Sequence, residues 1–313
     1  PIVVASASIF ADMAEVIGGD MIRVQSVVPI GGDPHIYEPT PEDVRLVARA
    51  DLILINGLTF EGWMNELIEN SGTTAETVTV TEGLATIASE EYANSSDPHA
   101  WMSAKNGLVY IVNIRDALIR LDPANAEGYR FNANMYTGQI QDVDEYIQRS
   151  IASIPAEQRV LITSHDAFRY FGKRYGIRVE AALGTSTDAD VQTNDIVRLA
   201  KVIRESRVPA IFVESTINPK LIQQIAADHG VDIGGSLYAD SLGEPDGEAG
   251  TYLKMLKYNT ETIVKGLSGQ TDALGINGEA NGRLQQTTLL GIILSVMIGA
   301  FAFMVVQLNK GIA

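Results

Sequence analysis

Four histidines and no cysteine limit the chemistry open to this chain of 313 residues. Any metal, acid–base or nucleophilic site must draw on His35, His99, His165 and His229, together with carboxylates and hydroxyls. His35 stands in Gly-Gly-Asp-Pro-His and His99 in Ser-Asp-Pro-His-Ala-Trp, while His165 directly follows the apolar run RVLIT. These three fall in loops beside predicted strand ends, where open α/β sheets hold their ligands. His229 falls in the last turn of a predicted helix before Gly230 and reads as a residue that meets the helix dipole and the final carbonyls.

With no thiol available, a fourth ligand must offer oxygen. Asp240, in LYADSLG between a predicted strand and a glycine turn, is the preferred residue. Glu214, at the end of the strand AIFV, is the competing carboxylate, either as a direct ligand or as the partner that holds a ligand histidine. A cap or turn role explains either acid equally well. Three imidazoles and one carboxylate suit Zn²⁺ or Mn²⁺ better than Cu(I), which prefers sulfur. Four protein ligands also favour binding over catalysis, because catalytic zinc sites usually keep one position for water.

The elements that must position these residues read as two α/β series. Strands are predicted at Pro1 to Ala5, Val24 to Val28, Asp51 to Ile55 and Val78 to Val80, alternating with helices at Phe10 to Ile17, Thr40 to Ala50 and Trp63 to Asn70. Thr40, Pro41 and Asp43 form a helix start signal of the capping-box type. The second series has strands at Arg159 to Thr163, Arg178 to Ala182, Ala210 to Val213 and Val231 to Ile233. Its helices are expected at Ala167 to Tyr175, Asp190 to Glu205 and Pro219 to His229. Such alternation implies mainly parallel sheets with flanking helices. Between the series, Pro123 to Ile154 reads as one long helix, with Gly128 and Gly138 arguing against its continuity. The expected division is residues 1–121, a connecting helix over 122–156, and residues 157–266, which places two ligands on each lobe and the ion between them.

Composition narrows the partners. A net charge of −16, from 23 Lys plus Arg against 39 Asp plus Glu, argues against nucleic acid. The 46% hydrophobic content is uneven: Thr288 to Val306 (TLLGIILSVMIGAFAFMVV) carries no charge over 19 residues. At about 1.5 Å per residue that length matches a bilayer core of roughly 30 Å, so 288–306 is expected to be a transmembrane anchor after a linker at 267–287.

The motifs VVASASIFADMAEVIGGD, GGDPHIYEPTPED, DLILINGLTFEGWM, DPHAWMS, LITSHDAFRYFGKRYG, IFVESTINPK and LYADSLG occur in an order that resembles one family. It is the zinc and manganese solute-binding proteins of ABC importers, the TroA-like and pneumococcal-adhesin-like receptors. The resemblance spans about Ile2 to Leu267. It implies metal ligands at His35, His99, His165 and Asp240, two Rossmann-like α/β lobes joined by one long helix, and modest movement on binding. It also implies a monomer outside the cytoplasmic membrane, in the periplasm or at the cell surface, with a permease and its ATPase as partners. In manganese members the third position is commonly Glu; His165 there tilts the expectation toward zinc, while the short acidic loop from Glu82 to Asp97 lacks the His-rich insertion of dedicated zinc scavengers. The C-terminal anchor is not a family feature.

The leading expectation is a receptor that captures Zn²⁺ or Mn²⁺ as cargo and is not an enzyme. The alternatives are a metal-dependent surface adhesion protein and a membrane-tethered metallohydrolase with Glu214 as base. No HExxH or GxSxG pattern favours the latter.

Overall fold

A computed structural model describes residues 1–89, 95–188 and 192–269. The first half contains β1 (Ile2–Ala5), α1 (Ser8–Gly18), β2 (Arg23–Ser26), α2 (Pro41–Ala48), β3 (Leu52–Ile55), α3 (Met64–Ser71), β4 (Glu76–Thr79) and α4 (Ala104–Leu121). Its four strands form a parallel sheet in the order β2-β1-β3-β4. Alternation along the strands sends Val3, Ala5, Leu52 and Leu54 into the main core and Val4 and Ile53 to a smaller cluster with Val47, Met64 and Leu67. Both faces are covered, which is why these strands read as unbroken apolar runs. At the start of α2, Asp43 Oδ2 accepts the Thr40 N–H at 2.7 Å and the Thr40 hydroxyl at 2.8 Å, so the expected start signal forms.

The long α5 (Ala126–Ala152) follows and is continuous. Its buried residues Tyr129, Ala133, Tyr136, Ile140, Val143, Ile147 and Ile151 make one stripe at helical spacing. Neither glycine breaks it, and Gly128 lets the Met21 thioether approach so closely that a Cβ there would stand 2.9 Å from the sulfur. The helix packs on α1 and α4 of the first half and on α6 and α9 of the second.

The second half runs β5 (Val160–Thr163), α6 (Arg169–Tyr175), β6 (Arg178–Ala181), α7 (Thr193–Ser206), β7 (Ala210–Glu214), α8 (Lys220–His229), β8 (Asp232–Leu237) and α9 (Tyr252–Leu267). Its strands form two parallel pairs, β5 with β6 and β7 with β8, with β5 lying alongside β7. The helix α9 was not anticipated from the pattern; it starts where the Thr251 hydroxyl accepts the Lys254 N–H and buries Tyr252, Met255, Leu256 and Ile263. His229 sits in the last turn of α8 before Gly230, as expected.

Among the described residues no helix is long and apolar enough to cross a membrane. The anchor expected at 288–306, and all of the linker from residue 270 on, lie outside the described residues.

Candidate metal centre

Each residue of the centre is delivered by the loop after a parallel strand. His35 comes from the loop that follows β2, His99 from the segment between β4 and α4, His165 from the turn after β5, and Asp240 from the turn after β8. All are therefore at the carboxyl ends of their sheets, where two halves that face one another form a crevice. Their ligand atoms lie within 4.8 Å of one another.

The inward-facing atoms are spaced as a small cation requires. His99 Nε2 lies 3.2 Å from His35 Nε2 and 3.3 Å from His165 Nε2. Asp240 Oδ1 is 3.4 Å from His99 Nε2, and its Oδ2 is 3.2 Å from His165 Nε2 and 3.9 Å from His35 Nε2. A tetrahedral ion with bonds of about 2.0–2.2 Å separates its ligands by about 3.3–3.6 Å. The contacts of His99 and the His165–Asp240 contact, at 3.2–3.4 Å, lie close to that spacing, and His35 to Asp240, at 3.9 Å, is wider.

Outer contacts fix which nitrogen faces inward. Asp97 Oδ1 lies 2.8 Å from His99 Nδ1 and also accepts the His99 N–H at 2.9 Å. Glu214 Oε2 lies 2.7 Å from His165 Nδ1, while its Oε1 accepts the His165 N–H at 2.8 Å. A proton on His99 Nδ1, facing Asp97, leaves its Nε2 lone pair for the centre, and the Glu214 carboxylate sets its charge beside His165 Nδ1. Lone pairs held at such distances repel one another unless a proton or a cation stands between them. Both Asp240 oxygens are buried without a hydrogen-bond partner among the described residues, a costly state for a carboxylate that lacks a cation.

The titration of the centre reports the same demand for positive charge. Burial holds His35 down to about 3. For His99 burial acts in the same direction, but the hydrogen bond to Asp97 and the charges of Asp240 and Asp97 outweigh it and raise the imidazole to about 9. His165 is likewise raised, against burial, by Glu214 and Asp240, and Asp240 is held far below the carboxylate range, against burial, by His165 and His99. A bound divalent cation replaces those protons, so binding releases them.

The apolar wall is aromatic. Phe60 meets the rings of His35 and His99 edge-on at centroid distances of 5.0 and 6.1 Å, and Trp101 meets His99 at 5.3 Å. Both are fully buried, so the imidazoles face away from water.

The four residues expected as ligands lie together, and Glu214 Oε2 lies against His165 Nδ1 rather than among the inward-facing atoms. The sequence reading missed Asp97, although its signal was present: the repeated Asp-Pro-His tripeptide puts an acid two residues before each histidine. Phe60 and Trp101 carried no such signal, because an aromatic at a core position looks the same whether or not it backs a ligand.

The family described as "Zinc-uptake complex component A periplasmic" matches residues 3–266. A manganese-binding lipoprotein, MntA, of Halalkalibacterium halodurans is 38% identical over 266 residues, covering 85% of this chain and 88% of that protein. The iron-binding protein YfeA of Yersinia pestis is also 38% identical, over 84% of this chain and 85% of its own length. Among solved structures, the periplasmic zinc-binding protein TroA of Treponema pallidum superposes with a TM-score of 0.81 at 33% identity, over 85% of this chain and 99% of that one.

Proposed function

This chain belongs to the zinc-uptake component A family of metal-binding, ABC-importer substrate-binding proteins, which are not enzymes, and from that premise we propose that it captures a divalent cation outside the cytoplasmic membrane for import. The ion is cargo, held by His35, His99, His165 and Asp240, and passed to a permease driven by its ATPase. The observation that carries this reading is the convergence of three buried or nearly buried imidazoles on Asp240, whose two buried oxygens lack hydrogen bonds. A cation satisfies both oxygens and separates the facing lone pairs, whereas a hydrolytic role has no support in a family of receptors.

Zn²⁺ and Mn²⁺ are the proposed cargoes. Three imidazoles favour zinc, and the manganese-binding relative supports manganese; the iron-binding YfeA adds iron as a third candidate. The adhesion reading has no observation in its favour. Growth on scarce metal tests the proposal: a strain lacking the gene fails on chelator-treated medium, the parent gene restores growth and Asp240→Ala does not. Equal growth of the Asp240→Ala strain contradicts it.

A further inference from the structure

The two halves are joined unequally around the metal centre. Several joins are buried: Trp101 Nε1 donates to Ala239 O at 2.9 Å, the Tyr252 hydroxyl donates to Trp101 O at 2.6 Å, the Tyr170 hydroxyl donates to Asp97 O at 3.0 Å, the Ala104 N–H donates to the Tyr175 hydroxyl at 3.1 Å, and the Leu242 N–H donates to Ser8 Oγ at 3.0 Å. On the His35 side the joins are only part-buried. There the Gly31 N–H donates to Ser241 Oγ at 2.8 Å, and the Thr187 hydroxyl donates to Asp33 Oδ2 at 2.6 Å. Thr187 stands in the loop after β6, and among the described residues this is the one hydrogen bond made by 185–188.

Asp33 has a second task. Its Oδ1 accepts the His35 N–H at 2.9 Å, so one carboxylate ties the backbone of a metal ligand to the opposite half. The His35 imidazole is only 2% exposed and so is nearly as buried as His99, His165 and Asp240. Among the described residues no carboxylate supports its Nδ1, in contrast to His99 with Asp97 and His165 with Glu214. The Asp33–Thr187 contact therefore crosses the cleft beside the one imidazole that has no carboxylate behind it among the described residues.

We propose that the Asp33–Thr187 hydrogen bond is a strap across the cleft that sets the rate of cation exchange, acting through the position of the His35 loop. It rests on the receptor reading above. To let the ion out, the His35 loop must part from the loop after β6, and that separation breaks a hydrogen bond to a charged acceptor, the stronger kind. The same opening admits the ion, so removing the strap speeds loading as well as release, and affinity changes less than either rate.

Stopped-flow release of Mn²⁺ or Zn²⁺ from the loaded full chain into excess chelator tests the strap. Thr187→Val keeps the shape and removes the hydroxyl; Thr187→Ser keeps the hydroxyl and removes the methyl. The Val variant is expected to release about tenfold faster, as loss of such a hydrogen bond implies, with the Ser variant within about twofold of the parent. Release from Thr187→Val at the parent rate overturns the strap. Equal acceleration in both variants also overturns it, because it assigns the effect to packing of the methyl. Failure of the parent chain to take up either ion defeats the receptor reading instead, so the two failures are distinct.

Discussion

The tripeptide Asp-Pro-His occurs twice, at 33–35 and 97–99, and the two copies do different work. Locally they match: Asp33 and Asp97 each accept the N–H of their histidine at 2.9 Å. Each proline carbonyl also accepts a side-chain N–H, Pro34 O from Trp63 Nε1 at 2.7 Å and Pro98 O from Asn56 Nδ2 at 3.0 Å. Beyond that they diverge. Asp97 is fully buried and turns to the imidazole of its own histidine; Asp33 is part-buried and turns across the cleft to Thr187. The tripeptide specifies a turn and presents a histidine, and the surroundings decide whether the acid orients that ring or joins two halves.

Replacing the proposed ligands tests this difference most severely. His99→Ala removes the ring at the centre of the cluster and leaves Asp97 and Asp240 buried without it, so calorimetry with Mn²⁺ or Zn²⁺ should detect no binding. His35→Ala removes the imidazole that no carboxylate supports and should leave weaker but measurable binding. Equal loss in both variants would erase the distinction between the two loops.

The acids come next. Asp97→Asn cannot hold His99 in the same tautomer as a charged acceptor does, and such outer partners are generally worth about 10- to 100-fold in metal affinity. Asp33→Asn, which touches no imidazole, should change affinity less than about tenfold, below the range for outer partners, while accelerating release. Competition against a chelator of known affinity measures both, and a larger affinity loss in Asp33→Asn than in Asp97→Asn would reverse their roles.

The smallest expected effect lies one contact further out. Glu61 is buried, accepts the Ser6 hydroxyl at 2.8 Å and the Asn56 N–H at 2.5 Å, and so supports the residue that holds Pro98. Burial raises it from 4.5 to about 7 in spite of those hydrogen bonds. Between these two values the folded chain holds a proton that the unfolded chain has lost, so stability falls as pH rises through that window and then levels off. Denaturation of the metal-free protein at pH 5 and pH 8 should show a drop that Glu61→Gln flattens. An unchanged drop in the variant assigns it to another group.

How much of this was legible in the sequence depended on whether residue type alone carried the information. Three loop histidines in a chain with only four were conspicuous, whereas the need for oxygen without a thiol left Asp240 in competition with Glu214. Strands such as LILI announced themselves because both faces are covered, and α5 was expected from a long run without proline, although Gly128 and Gly138 argued against a continuity that the structure shows. The helix from Tyr252 to Leu267 was missed, its polar Lys, Asn, Thr and Glu residues masking an apolar face. Thr187 was invisible for a deeper reason. A threonine in a loop is ordinary until the fold sets it against an aspartate 154 positions away.

The most direct measurement is a calorimetric titration of metal-free protein with Zn²⁺ and with Mn²⁺, run in parallel on the parent chain and on Asp240→Ala. The structure predicts one ion per parent chain, protons released on binding, and loss of that site in the variant. Undiminished one-to-one binding by Asp240→Ala would contradict the centre assigned to these four residues.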